Sequence, residues 1–174
     1  MAQLPREVVA FFLQQHFVIV TTIDRQGRLH NSCKGIVDIA LDGKVYLLDL
    51  YMKNTFNNLK ARPDISVTAV EEHEFRGYSI KGRGSIVKRD DLSPKIISKW
   101  DELLTQRISQ RIIKNIHNGK AQKQHPEALL PKPAYMVLVK VEEVVDLSPQ
   151  HIKKGSRNGQ YLNRKRDSGI RYSD

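Results

Sequence analysis

The sequence predicts a mainly β fold, a six-stranded antiparallel barrel with flanking helices. Three observations lead to this prediction. Short apolar, β-branched segments alternate with hairpin turn signals. A small polar helix is inserted between the third and fourth strands, and a longer helical pattern precedes the last strand. Short strands joined by tight turns are typical of small closed β folds.

The first three strands follow one another through two hairpins. Residues 17–23 are apolar and β-branched, and Gly27 in the turn that follows can take positive φ. Residues 29–40 form the second strand, more polar in its first half than in its second. Asp42-Gly43, a strong hairpin signal, leads into the third strand at residues 45–50.

The remaining strands are separated by helical segments. The small helix ends at Arg62-Pro63, and residues 65–70 form the fourth strand. Residues 78–87 form the fifth, where Gly82 and Gly84 indicate a bend or a close backbone approach. Residues 135–147 form the sixth strand.

Two longer helices flank the strands. Residues 4–15 carry Leu4, Val8, Phe11 and Phe12 at helical spacing, which predicts an amphipathic helix that covers the barrel. Residues 90–118 repeat apolar side chains at the same spacing, and the proline-containing residues 120–133 predict an irregular loop. We therefore expect one domain at residues 1–148, with a helical insert at about 90–118, and a basic tail at residues 149–174.

Composition excludes several classes of protein. The 174 residues are 40% apolar and 28% charged, as in a globular domain. A single cysteine cannot form an internal disulfide, and the six histidines lack metal-ligand spacing, so no metal site is expected. No apolar run approaches the roughly 20 residues that span a bilayer. The first residues also lack the features of a signal peptide, which predicts a cytoplasmic protein without membrane contact.

The net charge of +10 is concentrated near the C-terminus. Residues 151–171 contain many basic side chains against one acid, Asp167. A solvated tail, a flap that closes on an anionic ligand or a partner subunit, and a nucleic-acid contact all fit this pattern. Tyr161 and Tyr172 are the only aromatic residues of the tail, and so few aromatic residues give little support for nucleic-acid binding.

The start of the small helix suits an anion. Lys53, Asn54 and Thr55 follow directly after a buried strand. The first backbone N–H groups of a helix and the positive end of its dipole both favour a phosphate. The alternative is that Asn54 or Thr55 caps the helix while Lys53 is solvated.

The order of these features resembles the FMN-binding split barrels, the superfamily of pyridoxamine 5′-phosphate oxidase-like proteins. The resemblance covers residues 4–87 and the last strand to residue 147. It rests on five pieces in sequence, at residues 17–24, 27–30, 45–48, 53–63 and 80–84.

The resemblance implies a homodimer with FMN in a groove at each subunit interface. It implies a flavin-dependent oxidoreductase or flavin carrier, whose small-molecule redox substrate and electron donor the sequence does not name. Two alternatives stay open: a deazaflavin or haem in the same groove, or a basic, non-enzymatic module that binds nucleic acid or a protein.

The resemblance also assigns residues to the cofactor phosphate. Lys53, Asn54 and Thr55 match the phosphate-binding turn, and Asn58 could reach phosphate or ribityl oxygens or be an exposed helix residue. The resemblance also assigns three residues of the second strand, Ser32, Cys33 and Lys34. Of these, Lys34 is either the basic phosphate ligand or an ordinary outward-facing lysine.

Further positions are assigned to the flavin ring. Leu48 and Asp49 fall where the family lines the isoalloxazine, although a carboxylate at Asp49 would disfavour the reduced flavin anion. Arg76, Tyr78 and Lys81 fall near the FMN of the partner subunit, and Lys81 either sits over its pyrimidine edge or is a surface lysine.

Two features bear on the reaction. No residue stands out as a general acid or base, which favours simple hydride or electron transfer by the cofactor. Residues 155–164 lack the arginine- and histidine-bearing ending with which true pyridoxamine phosphate oxidases grip their substrate, so the vitamin B6 reaction is not expected.

Overall fold

A computed structural model describes residues 2–117 and 134–149 of the chain. The predicted loop at 120–133 and nearly all of the predicted basic tail lie outside these residues. The helices are α1 (Arg6–Leu13), α2 (Asn54–Ala61) and α3 (Pro94–His117). The strands are β1 (Val18–Ile23), β2 (Leu29–Lys34), β3 (Ile36–Ile39), β4 (Lys44–Leu48), β5 (Asp64–Glu71), β6 (Arg76–Lys88) and β7 (Tyr135–Asp146).

The seven strands of the described residues form one antiparallel sheet, in the order β2-β1-β5-β6-β7-β4-β3. The predicted mainly β class is confirmed, but the sheet has seven strands in the described residues rather than six. The predicted strand at residues 29–40 divides at Gly35 into β2 and β3. These two lie at opposite edges of the sheet, so a single residue joins its edges and the sheet must curl until they meet.

The inside of the curled sheet holds the main apolar core. Inward-facing apolar side chains of β1, β3, β4, β5, β6 and β7 pack together there. The N-terminal segment adds the buried Leu4, just before α1, and Val8, Phe11 and Phe12 within it. The prediction that the N-terminal helix covers the barrel is therefore confirmed.

A second apolar cluster lies outside the sheet. Trp100 and Ile96 of α3 pack with Leu48 of β4 and Met136 of β7. The outward side chains of β1 and β5 are covered less well, since Ile19 and Val70 are 49% and 62% exposed. Within the described residues, one part of the outer face is thus covered by α3, and another part has no covering helix.

The glycines of β6 allow the close approach that the sequence predicts. A Cβ at Gly82 would lie 2.1 Å from the backbone oxygen of Lys140. A Cβ at Gly84 would lie 2.8 Å from the side chain of Leu59 in α2. Gly84 therefore lets α2 rest directly against β6.

Candidate functional site

Alternation along β2 separates two sets of side chains. Ser32 and Lys34 lie on the face that packs inward, opposite the buried Val20 and Val18 of β1. Cys33 lies on the other face and is exposed. The structure therefore brings Ser32 and Lys34 together and separates Cys33 from them.

The start of α2 lies over this inward face. Thr55 is buried, and its hydroxyl is 3.2 Å from that of Ser32. Lys53 is the N-cap residue, with no side-chain capping hydrogen bond, and both Lys53 and Asn54 are exposed. The first backbone N–H groups of a helix have no partner within the helix. Two hydroxyls therefore meet at the helix start, which also has free backbone amides and an exposed lysine as its N-cap.

Lys34 is not an outward-facing lysine. Its Nζ lies 3.0 Å from Oδ1 of Asp49, directly after β4, and both side chains are less than a tenth exposed. The ends of β2 and β4 meet to form this pair. The lysine charge at the site is therefore opposed by a carboxylate.

Tyr135, which sequence reasoning missed, lies beside the pair. Its ring packs edge-on against Phe56 of α2, with centroids 5.0 Å apart. Burial raises the pKa of Tyr135, the Asp49 carboxylate raises it further, and the backbone N–H of Met52 lowers it in part. The hydroxyl is therefore protonated at neutral pH, and nothing in the local sequence around residue 135 signals this role.

Within the described residues, two buried oxygens of this cluster lack a hydrogen-bond partner: Oδ2 of Asp49 and the hydroxyl of Tyr135. The Asp49 carboxylate contributes to the raised pKa of this tyrosine. A tyrosine hydroxyl can donate to an ionised carboxylate, so the two groups are chemically matched.

Asn58 faces inward rather than into solvent. Its Nδ2 donates to Oγ1 of Thr22 on β1 across 3.0 Å, in a buried position. This hydrogen bond holds α2 against β1.

A polar groove of about 470 Å³ runs between α2 and the β1–β2 hairpin. Arg28 in this groove is paired with Asp24 at 2.8 Å. The backbone N–H of Arg28 and then its guanidinium lower the pKa of that carboxyl. The groove is lined by Asp24, Arg25, Gln26, Arg28, Leu29, His30, Asn54, Asn57 and Asn58.

The other assigned residues lie elsewhere in the single chain. Leu48 belongs to the outer cluster under α3. Arg76 lies over the ring of Phe11, and Tyr78 packs edge-on against the same ring, where burial raises the pKa of this tyrosine. Lys81 is exposed on the outer face and lies 3.2 Å from Glu143. None of these four joins the Lys34 cluster within one subunit.

Within the described part of the chain, no three His, Cys, Asp or Glu side chains form a group that could hold a metal ion. In that same part, no helix has the length and apolar character needed to cross a membrane.

Residues 4–139 match the family model of pyridoxamine 5′-phosphate oxidase. No curated protein matches the chain significantly.

Several solved structures share the fold. HupZ from Group A Streptococcus is 12% identical, with a TM-score of 0.57, over 83% of this chain and 95% of that one. A pyridoxamine 5′-phosphate oxidase-related, FMN-binding protein from Nostoc punctiforme is 13% identical, with a TM-score of 0.55, over 81% and 82%. An F420 reductase is 10% identical, with a TM-score of 0.52, over 82% and 98%. At such identities the likeness shows the fold alone.

Proposed function

Because the chain belongs to the pyridoxamine 5′-phosphate oxidase family, we propose that it is an FMN-binding, flavin-dependent oxidoreductase. The same proposal includes a cytoplasmic homodimer with one cofactor at each subunit interface. The bound flavin would supply the hydride or electron chemistry, and the protein would supply binding and orientation.

The observation that carries the proposal is the convergence at the start of α2. The hydroxyls of Ser32 and Thr55 meet there, 3.2 Å apart, beside the uncapped first turn. Lys53 adds an exposed positive charge at the same helix end. Hydroxyls, backbone amides and an ammonium at a helix N-terminus suit a dianionic phosphate.

These hydrogen-bond donors therefore fit a phosphate, but the nearby Asp49 carboxylate does not. Lys34 lies two residues along β2 from Ser32, on the same face, but it is held by Asp49. In this arrangement Ser32, Lys53 and Thr55 would bind the phosphate directly. Lys34 would lie behind them, paired with Asp49, without binding the phosphate directly.

The open outer face supports the dimer. No helix of the part of the chain that the structure describes covers the outward side chains of β1 and β5, and most of these side chains are small. They include Ile19, Thr21, Ser66 and Thr68. A groove of about 330 Å³ on this face includes Thr21, Ser66 and Lys81. A second sheet could approach closely here, and Lys81 would then face the partner subunit.

Absorbance and fluorescence of the purified protein test the proposal. With FMN bound, we expect bands near about 370 and 450 nm and quenched flavin fluorescence, with one FMN per subunit. A Soret band would instead identify haem, and retention of F420 in place of FMN would identify a deazaflavin. The absence of binding at excess FMN would overturn the proposal.

Substitutions in α2 test the position of the phosphate. We expect Lys53→Ala and Thr55→Val each to weaken FMN binding by about tenfold, or about 1.4 kcal/mol, and to affect riboflavin less. The control is Lys60→Ala, which removes the same charge from the far end of the same helix. Equal losses for FMN and riboflavin would place the phosphate elsewhere.

A further inference from the structure

The buried ion pair of Lys34 and Asp49 joins the ends of β2 and β4, two residues along β2 from Ser32. Lys34 Nζ and Asp49 Oδ1 are 3.0 Å apart, and the two side chains are 8% and 6% exposed. Removing two charges from water is costly unless they compensate each other, so the pair acts electrostatically as a nearly neutral unit.

The groups around Asp49 would hold its carboxylate in place. Within the described residues, Asp49 Oδ2 has no hydrogen-bond partner. The Tyr135 hydroxyl, whose pKa is raised by burial and by the Asp49 carboxylate, is a protonated donor. If Lys34 turned toward a ligand, Tyr135 could still donate to Asp49. The negative charge would then remain next to the incoming phosphate.

We propose that Asp49 is a specificity-determining residue that weakens the preference of this site for phosphorylated over unphosphorylated ligands. This inference rests on the proposed function, since it concerns the phosphate end of the same site. Lys34 contributes little net attraction because Asp49 cancels its charge. The phosphate is then held mainly by Lys53, the hydroxyls of Ser32 and Thr55, and the amides of α2.

Coulomb's law supports the expected effect of Asp49 on phosphate binding. Two unit charges a few ångströms apart in a partly buried site interact far more strongly than in water. A carboxylate beside a dianionic phosphate therefore opposes binding, whereas it has little effect on a neutral ribityl hydroxyl. Replacing Asp49 by a neutral side chain should selectively favour the phosphorylated ligand.

The first experiment measures the affinity for FMN relative to riboflavin. We expect Asp49→Asn to raise this ratio by about tenfold or more, since it removes one nearby negative charge. The matched control is Asp42→Asn, which removes the carboxylate of another lysine–aspartate pair, 2.6 Å apart, in the hairpin before β4. An unchanged ratio in Asp49→Asn, or an equal rise in both variants, would overturn the inference.

A second probe works without a flavin. Inorganic phosphate should raise the Tm of Asp49→Asn more than that of the wild-type protein or of Asp42→Asn. If phosphate does so while no protein binds FMN or riboflavin, the proposed flavin function fails, but the opposition of Asp49 to phosphate at this site is supported. If flavin binds but phosphate stabilises all three proteins equally, the proposed function survives and the inference fails.

A double substitution covers the case in which Asp49→Asn fails to fold because Lys34 is left buried and unpaired. Replacing a buried ion pair by apolar residues is often tolerated, so Lys34→Met/Asp49→Leu should fold. Because the pair contributes little net charge, this variant should keep the wild-type FMN-to-riboflavin ratio within about threefold. A tenfold fall in the ratio would show that Lys34 attracts the phosphate despite Asp49 and would overturn the inference.

Discussion

Tyr135 makes the candidate site sensitive to alkaline pH. Burial and the nearby Asp49 carboxylate raise the pKa of its hydroxyl above the ordinary value of about 10. Above that pH the unfolded chain loses this proton while the folded chain keeps it. The contribution of Tyr135 to the free energy of unfolding is therefore fully present below about pH 10 and decreases as the pH rises further.

We predict that Tyr135→Phe reduces this alkaline loss of stability. In the wild-type protein, Tyr135 should contribute a decrease of about 1.4 kcal/mol per pH unit above about pH 10, because one proton is retained only by the folded state. Urea unfolding at several pH values between neutral and strongly alkaline measures the slope. An identical slope in the variant would contradict the prediction.

The buried hydrogen bond between Asn58 and Thr22 gives a second prediction at this scale. Thr22→Val leaves the Asn58 amide without its acceptor in a buried position, which should cost about 1–3 kcal/mol of unfolding free energy. Adding Asn58→Leu removes the unsatisfied donor and should recover most of the loss. Chemical unfolding of the single and double variants measures both effects, and a double variant less stable than Thr22→Val would be the contrary result.

Individual residues were predictable only where the local sequence was unusual. Lys34 is a cation within a strand, and the sequence indicates that it has a particular role. Its partner Asp49 could not be foreseen, because the pair exists only where the ends of β2 and β4 meet. Tyr135 is even farther from Lys34 in sequence than Asp49 is. The pairing of β7 with β4 brings it to the site.

At the scale of elements, the seat of α2 on β6 links packing to binding. A Cβ at Gly84 would lie 2.8 Å from the tip of Leu59 in α2, whereas a Cβ at Gly82 would lie 2.1 Å from the backbone of Lys140. The first contact can be relieved by movement of a side chain or of the helix. The second can be relieved only by displacing a strand.

We therefore predict different outcomes for alanine at these two glycines. Gly84→Ala should cost about 1–3 kcal/mol of stability and should weaken FMN binding, since α2 carries Lys53 and Thr55. Gly82→Ala should cost more than about 4 kcal/mol and reduce the yield of folded protein. Thermal unfolding and FMN titration measure the pair. If Gly84→Ala binds FMN normally, the position of α2 is not coupled to the cofactor.

Most elements could be predicted because their signals are local. The two hairpins, the stop at Arg62-Pro63 and the apolar spacing of α1 and α3 all depend on neighbouring residues. The division at Gly35 does not. Residues 29–40 have strand-forming patterns on both sides of the glycine, and only closure of the whole sheet places its halves at opposite edges.

For the whole molecule, the open outer face of β1 and β5 is the surface proposed to join two subunits. Ile19 is 49% exposed there, so an aspartate at this position should be tolerated by a single subunit. In a dimer the same charge would be buried without a partner, which is costly.

We predict that Ile19→Asp converts the proposed dimer into a monomer and lowers FMN affinity, while the subunit remains folded. Sedimentation and circular dichroism measure assembly and folding separately. The control is Leu41→Asp, at a similarly exposed apolar residue, 46% accessible, in the β3–β4 hairpin. A dimeric Ile19→Asp protein would show that another surface joins the subunits.

The position of β7 has a consequence for how the chain is made. This strand hydrogen-bonds to β6 on one side and β4 on the other, so it joins the β2-β1-β5-β6 part of the sheet to the β3–β4 hairpin. During synthesis, β2, β1, β5 and β6 can associate before β7 leaves the ribosome, but the β3–β4 hairpin is then linked to them through Gly35 and residues 49–53 rather than through strand pairing. A nascent chain stalled before Tyr135 would therefore carry two unjoined sheet edges and would depend on chaperones until translation resumes.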